Sequence, residues 1–416
     1  MRTVPDPLPT VSVGALGDSG RRFATAVRGV DAPRAASDEP NPPNFSMVRS
    51  YPELLDEIRA IDPVAYAATR NHVAGAVTRL SPYITRGVLP LTMVRDIVLE
   101  RHPIIDCEKL LQELAWREYF QNIWWAKGDA IFSDLRFSRS DWRHDELVAG
   151  IVRAETGIEA IDAAVQELYT TGYLHNQVRL WVASLACNLA RAHWYPMGKW
   201  LYYHLLDGDL ASNFCSWQWV AGTLMQKRYT FTQPVVNRCT ESSQSGTYLD
   251  IPPEHFARQP IPPALQASLP FTYETLYPAT DRLARVAGQE VLLYTPWTLD
   301  PCWRSAASPA RRILVIDPAW FDRFPVSELA LDFIIRQGQT VLPQLEVHVG
   351  GVSDIPGIAE AATVTTLAHP SNLTWDVSRE APARLFPAVT GYYPSFSAYW
   401  RVVRAHYQLD GTPKQS

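Results

Sequence analysis

The stretch LLDGDLASNFCSWQW, residues 205–219, decides how this chain is read. It sets Asp207 and Asp209 on either side of one glycine and follows them with Ser212, Asn213, Trp217 and Trp219. Two carboxylates among tryptophans are costly to bury unless they are paired. Upstream strings supply the partners. In LLQELAWREYF (110–120), Glu113 and Arg117 are four apart and share a helix face, with Trp116 beside them. In GYLHNQVRLW (172–181), Asn176 and Arg179 are one turn apart on a helix that starts after Gly172. Taken singly, a Glu–Arg helix pair flanked by core aromatics is an ordinary surface feature. As a set, these residues match no acid–base signature and no metal spacing. They suit a planar aromatic cofactor with a polar edge: Asp and Asn to bond its heteroatoms, Arg to balance charge and carry phosphates, Trp to exchange electrons. The chain has no GxGxxG or P-loop string, so a dinucleotide must be held in another way.

Outward from this stretch, apolar residues recur at three- and four-residue spacing from Tyr51 to about Leu224, which predicts a helical domain over 49–248. Ser81-Pro82 reads as a helix start, with the Ser81 hydroxyl as cap and proline in the first turn. Residues 1–48 are rich in Pro, Ala, Ser and charge without periodicity and read as a disordered extension. Prolines return over 249–288, which reads as a linker. From 289 to 375 the period changes. EVLLYTPW, RRILVIDP, LEVHVGG and ATVTTLAHP are short β-rich runs, and the helix FPVSELALDFIIRQGQ separates the second from the third, which predicts a small parallel α/β unit. Over 376–416, SFSAYWRVVRAHYQ is an amphipathic terminal helix.

The 416 residues, 47% hydrophobic and 19% charged, suit a two-domain globular protein. A net charge of −5 argues against a general attraction to nucleic acid, though not against a local basic patch. Five scattered cysteines form no CxxC or Cys/His cluster and read as free thiols, so no metal is expected. No signal sequence or membrane span is expected, which points to a cytoplasmic location. Of the 14 tryptophans, most fall between Trp116 and Trp219, where core packing explains several of them but not their arrangement.

Four strings in this order and at these separations, VTRLSPYITRG (77–87), LLQELAWREYF, TGIEAIDAAVQELYTTGYLHNQVRLWVAS (156–184) and LLDGDLASNFCSWQW, closely resemble the FAD-binding domain of DNA photolyases and cryptochromes. The resemblance implies FAD as cofactor. It assigns the FAD phosphates to Thr78, Arg79, Leu80 and Ser81, where backbone N–H groups at a helix start favour anions, with Tyr66 as an upstream phosphate contact. Arg117, Asn176 and Ser212 become cofactor contacts, Arg179 and Asp207 an ion pair against the flavin, Asp209 the carboxylate at its polar edge, and Asn213 the residue facing N5. It orders Trp217, Trp194 and Trp142 as an electron relay to the surface. It makes Glu113, Trp116 and Trp219 the contacts for a flipped-out pyrimidine dimer, whose bases need polar partners and stacking surface.

The chain also departs from that pattern. The strand-bearing unit follows the helical domain instead of preceding it, and SWQWVAGT with KRYTFTQPVVNR resembles a bacterial subfamily so arranged. Leu110, Tyr173 and Gln177 stand where ordinary photolyases carry Trp, Trp and Arg, which weakens base stacking and phosphate contact; Lys227, Arg228 and Arg238 are the available compensation. The resemblance therefore implies a light-dependent carbon–carbon lyase acting on damaged DNA, with Glu113 bonding the dimer. The alternative is a blue-light photoreceptor signalling to a protein partner through FAD photoreduction.

Overall fold

A computed structural model describes residues 47–280, 282–304, 308–407 and 409. All but the last two residues of the expected N-terminal extension lie outside them.

Local chemistry explains where the helices begin and end. Helix α1 (Tyr51–Arg59) opens with a capping box in which Ser50 and Glu53 satisfy each other's backbone N–H groups. Asp62 caps α2 (Pro63–Thr69). After α3 (Ser81–Thr85) and α4 (Leu91–Leu99) comes α5 (Ile104–Lys127), whose 24 residues make it the long strut of the domain. A short strand β1 (Leu147–Val148) precedes α6 (Ala149–Val152) and α7 (Glu159–Thr171). Helix α7 stops at Gly172, with φ 66°, and a β-carbon there would sit 2.6 Å from the Leu206 side chain. Both the left-handed backbone and the tight approach call for glycine, which turns the chain into α8 (Asn176–Ser184). Then come α9 (Trp194–His204), α10 (Leu210–Ala221) and α11 (Gln233–Thr240). Trp181, Trp194, Trp200 and Trp217 are fully buried between these helices.

Residues 249–288 do not behave as a free tether. Leu249, Phe256 and Leu265 are buried, and β2 (Ser268–Leu269) pairs antiparallel with β1, Leu147 opposite Leu269. Proline forbids regular helix in this stretch but leaves the apolar residues between the prolines free to pack.

The C-terminal unit is a five-stranded parallel sheet of β3 (Glu290–Tyr294), β4 (Arg311–Ile316), β5 (Glu346–Val349), β6 (Thr363–Leu367) and β7 (Ser378–Glu380), in the order β5-β4-β3-β6-β7. Helices α12 (Pro318–Phe321) and α13 (Glu328–Val341) lie between β4 and β5. The central β3 and β4 are buried on both faces, hence their unbroken apolar runs. Strand β7 was not read from sequence, because it is a three-residue, mostly exposed edge with no apolar signal. It carries the sheet past the boundary expected at residue 375.

The sheet abuts the helical domain. The N–H of Leu299 donates to the Arg86 carbonyl at 2.8 Å, and Trp297 Nε1 donates to the Gly208 carbonyl at 3.3 Å. The loop after β3 thus presses on the turn between the two site carboxylates. Helix α14 (Phe396–Tyr407) then lies along α5, burying Phe396, Tyr399, Trp400 and Val403.

Candidate cofactor site

One cavity of about 490 Å³ opens between α5, α8, α10 and the loop before α3, within the usual size range for cofactor sites. Its walls bring together Tyr66, Thr78, Arg79, Ser81, Glu113, Trp116, Arg117, Asn176, Arg179, Asp207, Asp209, Ser212, Asn213, Trp217 and Trp219. Residues spread over more than 150 positions of sequence therefore share one surface. Leu80, Trp194 and Trp142 do not line it. The Leu80 side chain is buried in the core, so only its backbone remains for a cofactor contact.

Two ion pairs order the inner wall. Arg179 Nη2 reaches both oxygens of Asp207 at 2.9 and 2.8 Å, while its Nε donates to the Leu174 carbonyl at 2.8 Å. Asp209 is held from three sides: Arg117 Nη2 at 3.6 Å, Gln121 Nε2 at 2.5 Å and the Ser212 N–H at 2.7 Å. That last bond is the N-cap of α10, so one carboxylate both starts the helix and fills the site. Burial alone would raise the Asp209 carboxyl, but Arg117 and the Ser212 bonds outweigh it and hold the group below its ordinary range. It is an anion at neutral pH. Asn213 donates through Nδ2 to the Gly198 carbonyl at 2.8 Å, leaving its oxygen as an acceptor at the cavity.

The opposite end is built by the loop 77–81. Arg79 adopts φ 51°, a left-handed conformation uncommon without glycine, and its guanidinium lies 5.2 Å over the Tyr173 ring. Ser81 is not the cap of α3: it is the first helical residue, Leu80 occupies the cap position, and no side chain caps the helix. With Leu80 anchored in the core, the helix starts one residue earlier than expected and Ser81 lines the cavity. Tyr66 stays protonated, because burial, and then the Glu113 carboxylate, push its hydroxyl well up.

The outer residues are engaged differently from the sequence reading. Glu113 pairs with Lys109 at 2.8 Å and Arg70 at 3.3 Å instead of Arg117, which bonds Thr85 Oγ1 at 3.0 Å. Trp116 is stacked by Phe396 of α14, with ring centres 3.6 Å apart and planes within 9°. Trp219 packs on Tyr229 at 5.7 Å. Arg228 is committed to Asp141 at 2.8 Å and so is not a ready phosphate ligand. Outside the cavity, ring contacts run from Phe214 to Trp194 (5.7 Å), to His193 (5.4 Å) and to Trp142 (5.1 Å).

Sequence reasoning missed Arg70, His175 and Arg86. Arg70 and His175 line the cavity, and burial followed by nearby Arg179 lowers the His175 imidazole to about 4, keeping it neutral. Arg86 is fully buried and grips the Leu206 carbonyl beside Asp207 with Nε at 2.9 Å and Nη2 at 2.6 Å. Its only sequence signal was its place in VTRLSPYITRG, because its partner lies 120 residues away.

The walls suit a polar, charged, partly aromatic guest. Ser212 Oγ and His175 Nε2 are buried, line the cavity and lack hydrogen-bond partners, a situation that folded proteins rarely leave unfilled. The helices, the paired charges and the cavity together define a helical nucleotide-cofactor domain. Residues 110–274 match the family described as the FAD binding domain of DNA photolyase. The chain is 31% identical over 160 residues to a deoxyribodipyrimidine photo-lyase of Streptomyces griseus, covering 38% of this chain and 35% of that one. It is 33% identical over 164 residues to a photo-lyase of Thermus thermophilus, covering 38% of each. It is 31% identical over 194 residues to a cryptochrome DASH of Gloeobacter violaceus, covering 44% and 39%. Among solved structures, a Synechocystis cryptochrome aligns with a TM-score of 0.42 and 24% identity, over 46% of this chain and 43% of that chain. The chain thus spans well under half the length of these relatives. Residues 110–274 thus resemble the FAD binding domain of DNA photolyase, and FAD is the cofactor that this match supports.

Proposed function

We propose that this chain is a light-driven, photolyase-like enzyme that acts on pyrimidine dimers in DNA. The observation that carries this reading is the sharing of one cavity by the two ion pairs, Asn213 and the 77–81 loop with Glu113, Trp116 and Trp219.

FAD supplies an electron donor when reduced and excited by blue light, and an electron acceptor when oxidised. The chain's own groups fit that guest. Asp209, anionic and fixed by Arg117, Gln121 and Ser212, would accept from an N–H edge of the ring. The Asn213 oxygen would accept from the ring N–H that reduction of the flavin adds, and the Arg179–Asp207 pair would present alternating charge to the ring without adding net charge. Thr78, Arg79 and Ser81 provide hydroxyls and a cation for the diphosphate, with Tyr66 as a donor. Trp217, buried in the cavity wall, is the first electron relay, followed by Trp194 and then Trp142. Trp116 and Trp219 offer aromatic surface to a flipped dimer, and Glu113 a carboxyl to its polar edge. A cytoplasmic location is part of this reading; no helix among the described residues is long and apolar enough to cross a membrane.

The test is exposure of dimer-bearing oligonucleotides to the FAD-loaded, reduced protein under blue light. Loss of dimers above a dark control supports repair, and equal counts in both arms reject it.

One feature favours the photoreceptor reading as an alternative. Phe396 already stacks on Trp116, and Lys109 and Arg70 already hold Glu113. Two of the three dimer contacts are engaged within the chain, so light-driven electron transfer would be read out by a partner at α14 instead of by DNA. In that case dimers persist, and illumination changes the hydrogen-exchange protection of α14.

A further inference from the structure

Trp194 is fully buried, and its indole Nε1 donates to Asp134 Oδ1 at 2.9 Å. Packing does not require that carboxylate. The indole N–H needs only an acceptor, and a neutral one such as a carbonyl or hydroxyl oxygen would serve. A half-buried carboxylate on Trp194 therefore calls for another explanation.

The next tryptophan outward has the opposite electrostatics. The Arg139 guanidinium lies 3.8 Å over the Trp142 ring. It is fixed there by Asp141 at 2.9 Å, Asn188 Oδ1 at 3.0 Å and the carbonyls of Ala221 and Cys187, both at 3.1 Å. The His193 ring separates the two indoles, stacked on Trp194 and edge-on to Trp142. A positive charge against an indole disfavours removal of its electron, and a negative charge favours it. Losing an electron also turns the indole N–H from a very weak acid into one that a carboxylate can deprotonate.

We propose that Asp134 is the proton acceptor that holds the oxidising equivalent on Trp194. The step rests on the relay reading above, in which light-excited oxidised flavin takes one electron from Trp217. Trp194 then gives one electron to the Trp217 radical cation. Its N–H bond breaks, the proton passes to Asp134 Oδ1, and a neutral indolyl radical remains beside a carboxylic acid. Return of the electron from the reduced cofactor to the indolyl radical must then bring the proton back from Asp134 as well, which slows recombination. Asp134 is a positioning residue here: it acts through Trp194 and touches no cofactor.

The test is flash spectroscopy of the FAD-loaded full chain, because neutral and cationic indole radicals absorb differently in the visible. The wild type should show the neutral form, with a solvent deuterium effect on its appearance. Asp134→Asn keeps an acceptor for Nε1 but removes the charge and the base. It should show the cationic form, no isotope effect and recombination about tenfold faster or more, whereas Asp134→Glu should restore the neutral form. A neutral radical with an unchanged isotope effect in Asp134→Asn overturns the proposal while leaving the relay intact. Absence of any indole radical in the wild type removes the relay itself, and the proposal with it.

Discussion

Asp207 and Asp209, one glycine apart, have separate duties. Asp207 answers Arg179, and Asp209 answers Arg117 while capping α10. Replacing Asp207 by alanine leaves the Arg179 Nη2 without its acceptor at the cavity wall. The expected loss is about 3 kcal/mol, the lower end for a broken buried pair because Arg179 keeps some solvent contact. Urea unfolding checks the stability, and flavin content per chain checks the site, which should fall with it. Replacing Asp209 by asparagine should cost flavin more than stability, since asparagine also caps helices well but carries no charge. These carboxylates were legible in the sequence because short spacings and a helical period already bring Asp209, Ser212, Asn213 and Trp217 together. Arg86 was not, since a lone arginine shows its meaning only when a carbonyl 120 residues away closes on it.

At the scale of elements, α14 and α5 decide what the outer cavity can accept. Glu118 on α5, 6% exposed, accepts from the N–H groups of Leu385 and Phe386 and from the Tyr399 hydroxyl. It therefore clamps the C-terminal segment in the position that sets Phe396 on Trp116. Replacing Glu118 by alanine orphans three donors and should destabilise the chain by about 2–4 kcal/mol, with earlier proteolysis of the C-terminal segment than of the helical domain. Phe396→Ala uncovers a face of Trp116 and should raise affinity for dimer-bearing over undamaged oligonucleotide, read by fluorescence anisotropy. No change in that ratio would mean the stacked face lies off the path of any base. The amphipathic pattern of 395–408 was readable as a helix that packs back. Where it lands was not, because Glu118 contacts residues more than 260 positions away and looked like one more charge on α5.

Across the whole molecule, the sheet is fastened to the cofactor domain through the loops that follow β3 and β6. His369 lies flat on Trp297, ring centres 5.0 Å apart and planes within 6°, within electrostatic reach of Asp209. Burial lowers His369 to about 3, against the pull of Asp209, as it lowers His175 to about 4. Both values lie below the ordinary 6.5 of an unfolded chain. Between the two limits the unfolded chain binds protons that the folded one does not, so stability is full above about pH 6.5 and declines as pH falls toward 4 and then 3. Each histidine adds about 1.4 kcal/mol per pH unit to that decline. Urea midpoints measured across this range should show it, and His369→Asn, which can still cap the turn at Ser371, should flatten the slope. The parallel sheet was readable from four apolar runs interrupted by a helix, but the polar edge strand β7 and the packing of 249–288 were not. Neither has a periodic signal of its own; partners elsewhere in the chain create both.

The cavity between α5, α8 and α10 is where FAD is expected to bind. A crystal structure of the full chain, purified with its visible chromophore, tests it most directly. Density is expected for one FAD per chain, its ring edge at Asp209 and Asn213 and its phosphates at Thr78, Arg79 and Ser81. A chain that binds its flavin at another surface, or takes up none when FAD is supplied, would contradict it.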